Sequence, residues 1–236
     1  MKSRFWADVW TVLRKEWLEW AATPGCLVQP LIILVVFGVA VPLAAGHLWV
    51  EAPLLHWLWS WLPLVLSAGL VADTFAGERE RDTLEALLAS RLPDRAIIFG
   101  KMAAVAAYGW TITLLCWLAG WLVVWLGPSP TAVQPAPVLW IGLPVLSFLA
   151  AWLVAGIGVL ISLHAQSVRQ AQQLMSVAML GALLLAGLFA GQAWLGAPES
   201  QNGSLLLPAA ATLLVLDACL LLALLARPQR SEWLIH

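Results

Sequence analysis

Six apolar runs, each close to the length needed to cross a bilayer, leave this chain few ways to fold. They fall at about 27–46, 57–77, 97–126, 138–163, 172–196 and 205–226. A helical crossing takes roughly 20 residues. The chain has 236 residues, of which 62% are hydrophobic and 11% charged. A soluble domain of that size cannot bury so much apolar surface. The expected fold class is an all-α polytopic membrane protein, with an N-terminal interfacial amphipathic helix plus six transmembrane helices. A net charge of -1 gives no basic balance for nucleic acid. Cys26, Cys116 and Cys219 lie in or beside apolar runs without metal-ligand spacing, so they read as small membrane hydrophobes.

The basic residues orient the chain. Lys2, Arg4, Arg14 and Lys15 precede the first run. Arg79, Arg81, Arg91, Arg95 and Lys101 lie between the second and third, Arg169 between the fourth and fifth, and Arg227 and Arg230 after the sixth. These are all 12 Lys and Arg residues, and the opposite loops near 47–56, 127–137 and 197–204 contain none. The positive-inside rule places both termini in the cytoplasm. Three segments follow: an interfacial helix over 1–25, a six-helix membrane domain over 26–226 and a cytoplasmic tail over 227–236. In the first, Trp6, Trp10, Leu13, Trp17 and Trp20 share one face, as expected of a helix lying in the membrane interface. His47, Glu51 and His56 read as solvated loop residues, and Asn202-Gly203-Ser204 as a turn.

Residues 75–101 interrupt this apolar sequence with ten of its 25 charged residues. Asp82 and Glu85 have capping-box spacing, with Asp82 as N-cap. Leu84, Leu87 and Leu88 follow on one apolar stripe, Arg91 suits a helix C-terminus and Pro93 stops the helix. A capped cytoplasmic helix of about two to three turns is expected over about 78–92. Its stripe is too narrow for a core, so it calls for a partner groove, the membrane surface or the N-terminal helix.

This segment resembles the corresponding loop of type-2 ABC transporter membrane subunits (ABC-2 type permeases). They carry a pattern close to E-x-E-x-G-T-L-E-x-L-L-x-S-P, then a helix opening with G-K. The matching residues are Glu78, Glu80, Thr83, Leu84, Glu85, Leu87, Leu88, Ser90, Gly100 and Lys101. Asp82 stands where the pattern has Gly, and Ser90-Arg91-Leu92-Pro93 replaces Ser-Pro. The Lys15-Glu16 pair and a polar patch of Ser167, Arg169, Gln170, Gln172 and Gln173 extend the resemblance. It implies a coupling helix that docks in a cleft of a cytoplasmic ATPase, with Glu78, Glu80, Asp82, Thr83, Leu84, Glu85, Leu87, Leu88 and Arg91 as coupling residues. It also implies two permease subunits, expected to be a homodimer, above two ATPase copies in the plasma (inner) membrane of a prokaryote.

The chain has no G-x-x-x-x-G-K-[ST] phosphate loop; Gly100-Lys101 is followed by Met102. It is therefore expected to be no enzyme and to hold no cofactor, with ATP and Mg on the partner ATPase. The expected function is ATP-driven export of a hydrophobic or amphiphilic molecule. Alternatives are a haem-exporter permease of cytochrome c maturation and, from another class, a non-transporting membrane scaffold or intramembrane enzyme. Asp217, near the middle of the sixth run, and Asp73, near the inner end of the second, are candidates for the transport path. An acid at membrane depth costs about 2.5–3.5 kcal/mol and must face protein or water. Trp110, Trp117, Trp121 and Trp125 are expected to face lipid or an interfacial belt.

Overall fold

A computed structural model describes residues 2–46, 48–51, 62, 67, 69–127, 137–196 and 206–226. Among these, every regular element is helical. In chain order they are α1 (Lys2–Ala22), α2 (Val28–Ile33), a π-helical stretch (Leu34–Ala40), α3 (Val41–Ala45), α4 (Leu48–Glu51), α5 (Ala76–Glu80), α6 (Leu84–Leu88), α7 (Asp94–Trp125), α8 (Pro137–His164), α9 (Val168–Gly196) and α10 (Leu206–Ala226). Among the described residues, three stretches are long and apolar enough to cross a membrane: Val28–Ala45, Asp94–Trp125 and Trp140–His164. The second run is described only in part, helical over 69–73. Pro63, His47, His56, Trp57, Trp59, Trp61, the turn at Asn202 and the tail at 227–236 lie outside the described residues.

At 32 residues, α7 is about 48 Å long, well beyond a hydrocarbon core of about 30 Å. α1 packs along the N-terminal turns of α7. Gly100 makes this close approach possible. A Cβ there would lie 2.6 Å from Val12 Cβ and 3.0 Å from the Val9 carbonyl oxygen. The buried face of α1 is Val9, Val12 and Glu16, whereas Trp6, Trp10 and Trp17 stay exposed. One helix thus carries two faces about a quarter turn apart, one packed on protein and one exposed.

Pro42 follows a π-helical stretch in the first run. It lacks an N–H, and the preceding Leu34–Ala40 stretch widens to π geometry, so the Val41 N–H bonds Val36 O before Pro42. Pro144 lies inside α8, where Trp110 Nε1 (3.0 Å) and Ser147 Oγ (3.0 Å) both donate to its carbonyl. Three of the four tryptophans on α7 turn inward rather than toward lipid. Trp110 bonds α8, Trp117 packs edge-on against Trp140 of α8 and Trp121 against the same ring, leaving only Trp125 strongly exposed. Edge-to-face pairing with the partly exposed Trp140 ring ties α7 to α8, and of the four only Trp117 is buried.

The charged segment departs from expectation in two ways. It is not one capped helix but two short ones, α5 and α6, joined at residues 81–83. Thr83, not Asp82, stands before α6, and it makes no side-chain cap bond there. Its hydroxyl donates instead to Glu78 O at 3.2 Å. Asp82 takes φ +55°, the left-handed conformation a glycine adopts freely. Asp82 thus stands, in a conformation that favours glycine, where the resembling pattern has Gly.

The leucine stripe also has a partner within the chain. Leu84 and Leu88 are buried in the main core with Val71, Phe75, Ile97, Met102 and Val159, and Leu87 packs against it. Five residues of helix cannot bury a stripe alone. The N-terminal end of α7 and the C-terminal end of α8 supply the wall, and each buried leucine contributes about 1.5–3 kcal/mol.

Candidate coupling site at the inner ends of the helices

Lys101 is fully buried on α7, a site that demands countercharge. Its ammonium donates to Glu16 Oε1 at 2.7 Å and to the Thr74 carbonyl at 2.8 Å, and lies 3.1 Å from Glu78 Oε1. The Phe75 ring centroid is 5.1 Å away. Lys15 closes the cluster at 2.6 Å from Glu78 Oε1, with Glu19 at 3.2 Å. Two buried acids and two cations thus join α1, α5 and α7 around one neutral group. Burial opposes the charge on Lys15, but the Glu78 hydrogen bond and the Glu16 and Glu78 charges outweigh it and raise its pKa above the ordinary lysine value.

The next two residues hold a different pair of helices. Arg79 donates to the carbonyls of Ala165 and, at 3.1 Å, Leu163, at the C-terminus of α8. Burial without a carboxylate partner lowers its pKa. Glu80 Oε1 accepts the Val168 N–H at 2.8 Å, at the N-terminus of α9. Ser167 Oγ takes the Gln170 N–H at 3.2 Å, and Gln170 Oε1 takes the Gln166 N–H at 2.9 Å, completing that end. Ser162 Oγ accepts from Phe75 N (3.0 Å) and Ala76 N (2.9 Å) and donates to Ala72 O at 3.1 Å, fixing the entry to α5.

The expected coupling residues therefore divide. Glu78, Leu84 and Leu88 are buried, Leu87 is half-buried, and Glu80, Asp82, Thr83, Glu85 and Arg91 are exposed. Apart from Glu80, whose carboxylate turns to Val168, the exposed ones form a mixed-charge face with Arg81, Ala86 and Ala89. Asp73 pairs with Arg81 at 3.2 Å near the same surface. For Arg81 burial opposes the charge, but the Asp73 bond together with the Asp73, Glu19 and Glu78 charges outweighs it and raises its pKa. Asp217 lies apart, buried on α10, its two oxygens without a hydrogen-bond partner among the described residues. It stands one turn before Leu220 and Leu221, which pack on the core beside Gly156 of α8. The roles of Glu16, Lys101, Arg79 and Ser162 were not singled out from sequence. A Ser-x-x-Gln capping spacing at Ser167 and Gln170, and the balanced charges of Lys15, Glu16, Glu78 and Lys101, were the available signals.

The fold is that of a helical membrane protein. Residues 7–194 match the sequence profile of the ABC-2 type transporter family, and the chain belongs to that family. It is a permease subunit of an ABC transporter, a machine that includes an ATPase partner. No curated protein sequence matches the chain.

Proposed function

We propose that this permease is driven by a separate cytoplasmic ATPase chain that docks on the exposed face of residues 82–91. The observation that carries the reading is the division of α6. Its leucines are sunk into the permease's own core, while Asp82, Thr83, Glu85, Ala86, Ala89 and Arg91 face outward. A helix anchored from behind transmits a push, which a helix bound only by its partner does not. Glu78 belongs to the anchor, not the docking face.

On this reading ATP and Mg bind the partner, and two permease copies, as a homodimer, stand over two ATPase copies. Both termini face the cytoplasm of a prokaryote and the complex sits in the plasma membrane. Export of a hydrophobic or amphiphilic molecule fits the described spans: α7 from Met102 to Trp125 and α8 from Pro137 to Leu163 contain no Asp, Glu, Lys or Arg. An ionic substrate would need such groups.

Co-purification tests the docking face. The double variant Glu85→Arg with Ala86→Trp alters only exposed positions, so the permease should insert and fold as wild type but fail to retain the ATPase. Wild-type retention with normal ATP hydrolysis would refute the docking face.

A further inference from the structure

Three places outside the docking face hold polar groups that the reading above leaves unused: the seam around Asp217, the groove along the exposed side of α1, and the turn between α8 and α9. The third carries the argument furthest. Arg79 and Glu80 are consecutive residues of opposite sign, and they reach opposite poles of two consecutive helices. The α8 C-terminus presents unpaired carbonyls with partial negative charge, and Arg79 donates to Leu163 and Ala165 there. The α9 N-terminus presents unpaired N–H groups with partial positive charge, and Glu80 accepts Val168 N. Reversing the two residues would set each charge against the wrong pole.

The arrangement matters because α9 has little other support at this end. Among the described residues it rests mainly on α8 and α5. Leu174, Val177, Leu180 and Leu184 of α9 are exposed. Ser162 adds a third link, holding the first amides of α5 to α8. We propose that Arg79 and Glu80 are positioning residues that clamp the α8–α9 turn to the charged segment, so that a displacement of α6 is delivered to α9 as well as to α7. The inference rests on the ATPase-docking reading.

Amide hydrogen exchange on the full permease–ATPase complex in lipid, with ATP and after trapping with vanadate, tests both separately. Exchange at 84–89 reports docking, and exchange at 165–171 reports the turn. In the wild type both stretches should change their exchange between the two states. No change at 84–89 overturns the docking reading itself. A change at 84–89 without one at 165–171 overturns the clamp alone. In Glu80→Ala the response at 84–89 should persist and that at 165–171 should be lost. Glu80→Gln keeps the accepting oxygen and should restore it, a rescue that simple destabilisation does not produce. A response at 165–171 that survives in Glu80→Ala also overturns the clamp.

Discussion

Lys101 Nζ lies 2.7 Å from Glu16 Oε1 across 85 positions of sequence, and neither side chain reaches solvent. The pair holds the N-terminal helix against the N-terminal end of α7. Glu78 shares the same ammonium, so the cluster is a triangle of one cation and two acids, with Lys15 relieving the second acid. Removing Lys101 would leave Glu16 and Glu78 close together with only one partly exposed cation between them. Lys101→Met should destabilise by about 3–5 kcal/mol, the cost of stranding buried charge. The triple variant Lys101→Met, Glu16→Gln, Glu78→Gln should recover most of that loss. Thermal unfolding of the purified permease measures both. Equal destabilisation in the two would show that the charges are not what the cluster depends on.

The same cluster sets a pH dependence. Lys15 has a raised folded-state pKa. A raised base contributes stability that is fully present below its unfolded pKa, about 10.4 for lysine, and is lost as pH rises through the folded value. The unfolding-midpoint difference between wild type and Lys15→Met should therefore be constant from neutral pH to about 10 and shrink only above it. A difference that already falls between pH 7 and 9 would mean that Lys15 is not held by the acids.

Ser162 gives a test of the α8 attachment. Its hydroxyl oxygen is the acceptor for two buried amides, Phe75 N and Ala76 N. Ser162→Ala should cost about 1–3 kcal/mol for each amide left unpaired and should speed exchange at those two amides. Unchanged exchange at both would show that another acceptor replaces the hydroxyl.

How far the sequence reached depends on the range of the interaction. The apolar runs are local and periodic, so the helices at 94–125, 137–164, 168–196 and 206–226 could be read almost to their ends. The position of the charged segment was legible for the same reason. Its internal structure was not. Asp82 and Glu85 fit a capping box by spacing, but spacing does not show that Asp82 turns left-handed, since Asp serves both purposes. The leucine stripe was visible, yet its partner lies on α7 and α8, and no periodicity within α6 reports that. Arg79 looked like one solvated charge among many because its acceptors are backbone carbonyls 84 and 86 positions away. The packing of Trp117 and Trp121 against Trp140 was not legible for a related reason, since it is tertiary.

The left-handed turn at Asp82 gives a prediction in which two effects nearly cancel. Glycine relieves a left-handed strain of roughly 1 kcal/mol but loses about 0.5–1 kcal/mol through the entropy of the unfolded chain. Asp82→Gly should therefore shift stability by less than about 0.5 kcal/mol. Asp82→Val puts a β-branched residue at positive φ and should lose about 1–2 kcal/mol. If valine is tolerated as well as glycine, the turn does not hold φ +55° in the working protein.

Asp217 separates a structural acid from a transport residue. It sits on the stripe by which α10 packs on the core, in line with Leu220, Leu221 and Leu224. Its oxygens find no hydrogen-bond partner among the described residues. An uncompensated polar group in such a seam costs about 1–3 kcal/mol, and leucine would extend the apolar stripe by one turn. Asp217→Leu should therefore raise the unfolding midpoint of the permease, and Asp217→Asn should leave it nearly unchanged. The transport reading makes a different demand: the leucine variant would keep its stability and ATPase partner yet lose the substrate-dependent rise in ATP hydrolysis. Stability up and stimulation intact would assign Asp217 to the seam; stability intact and stimulation lost would assign it to the path.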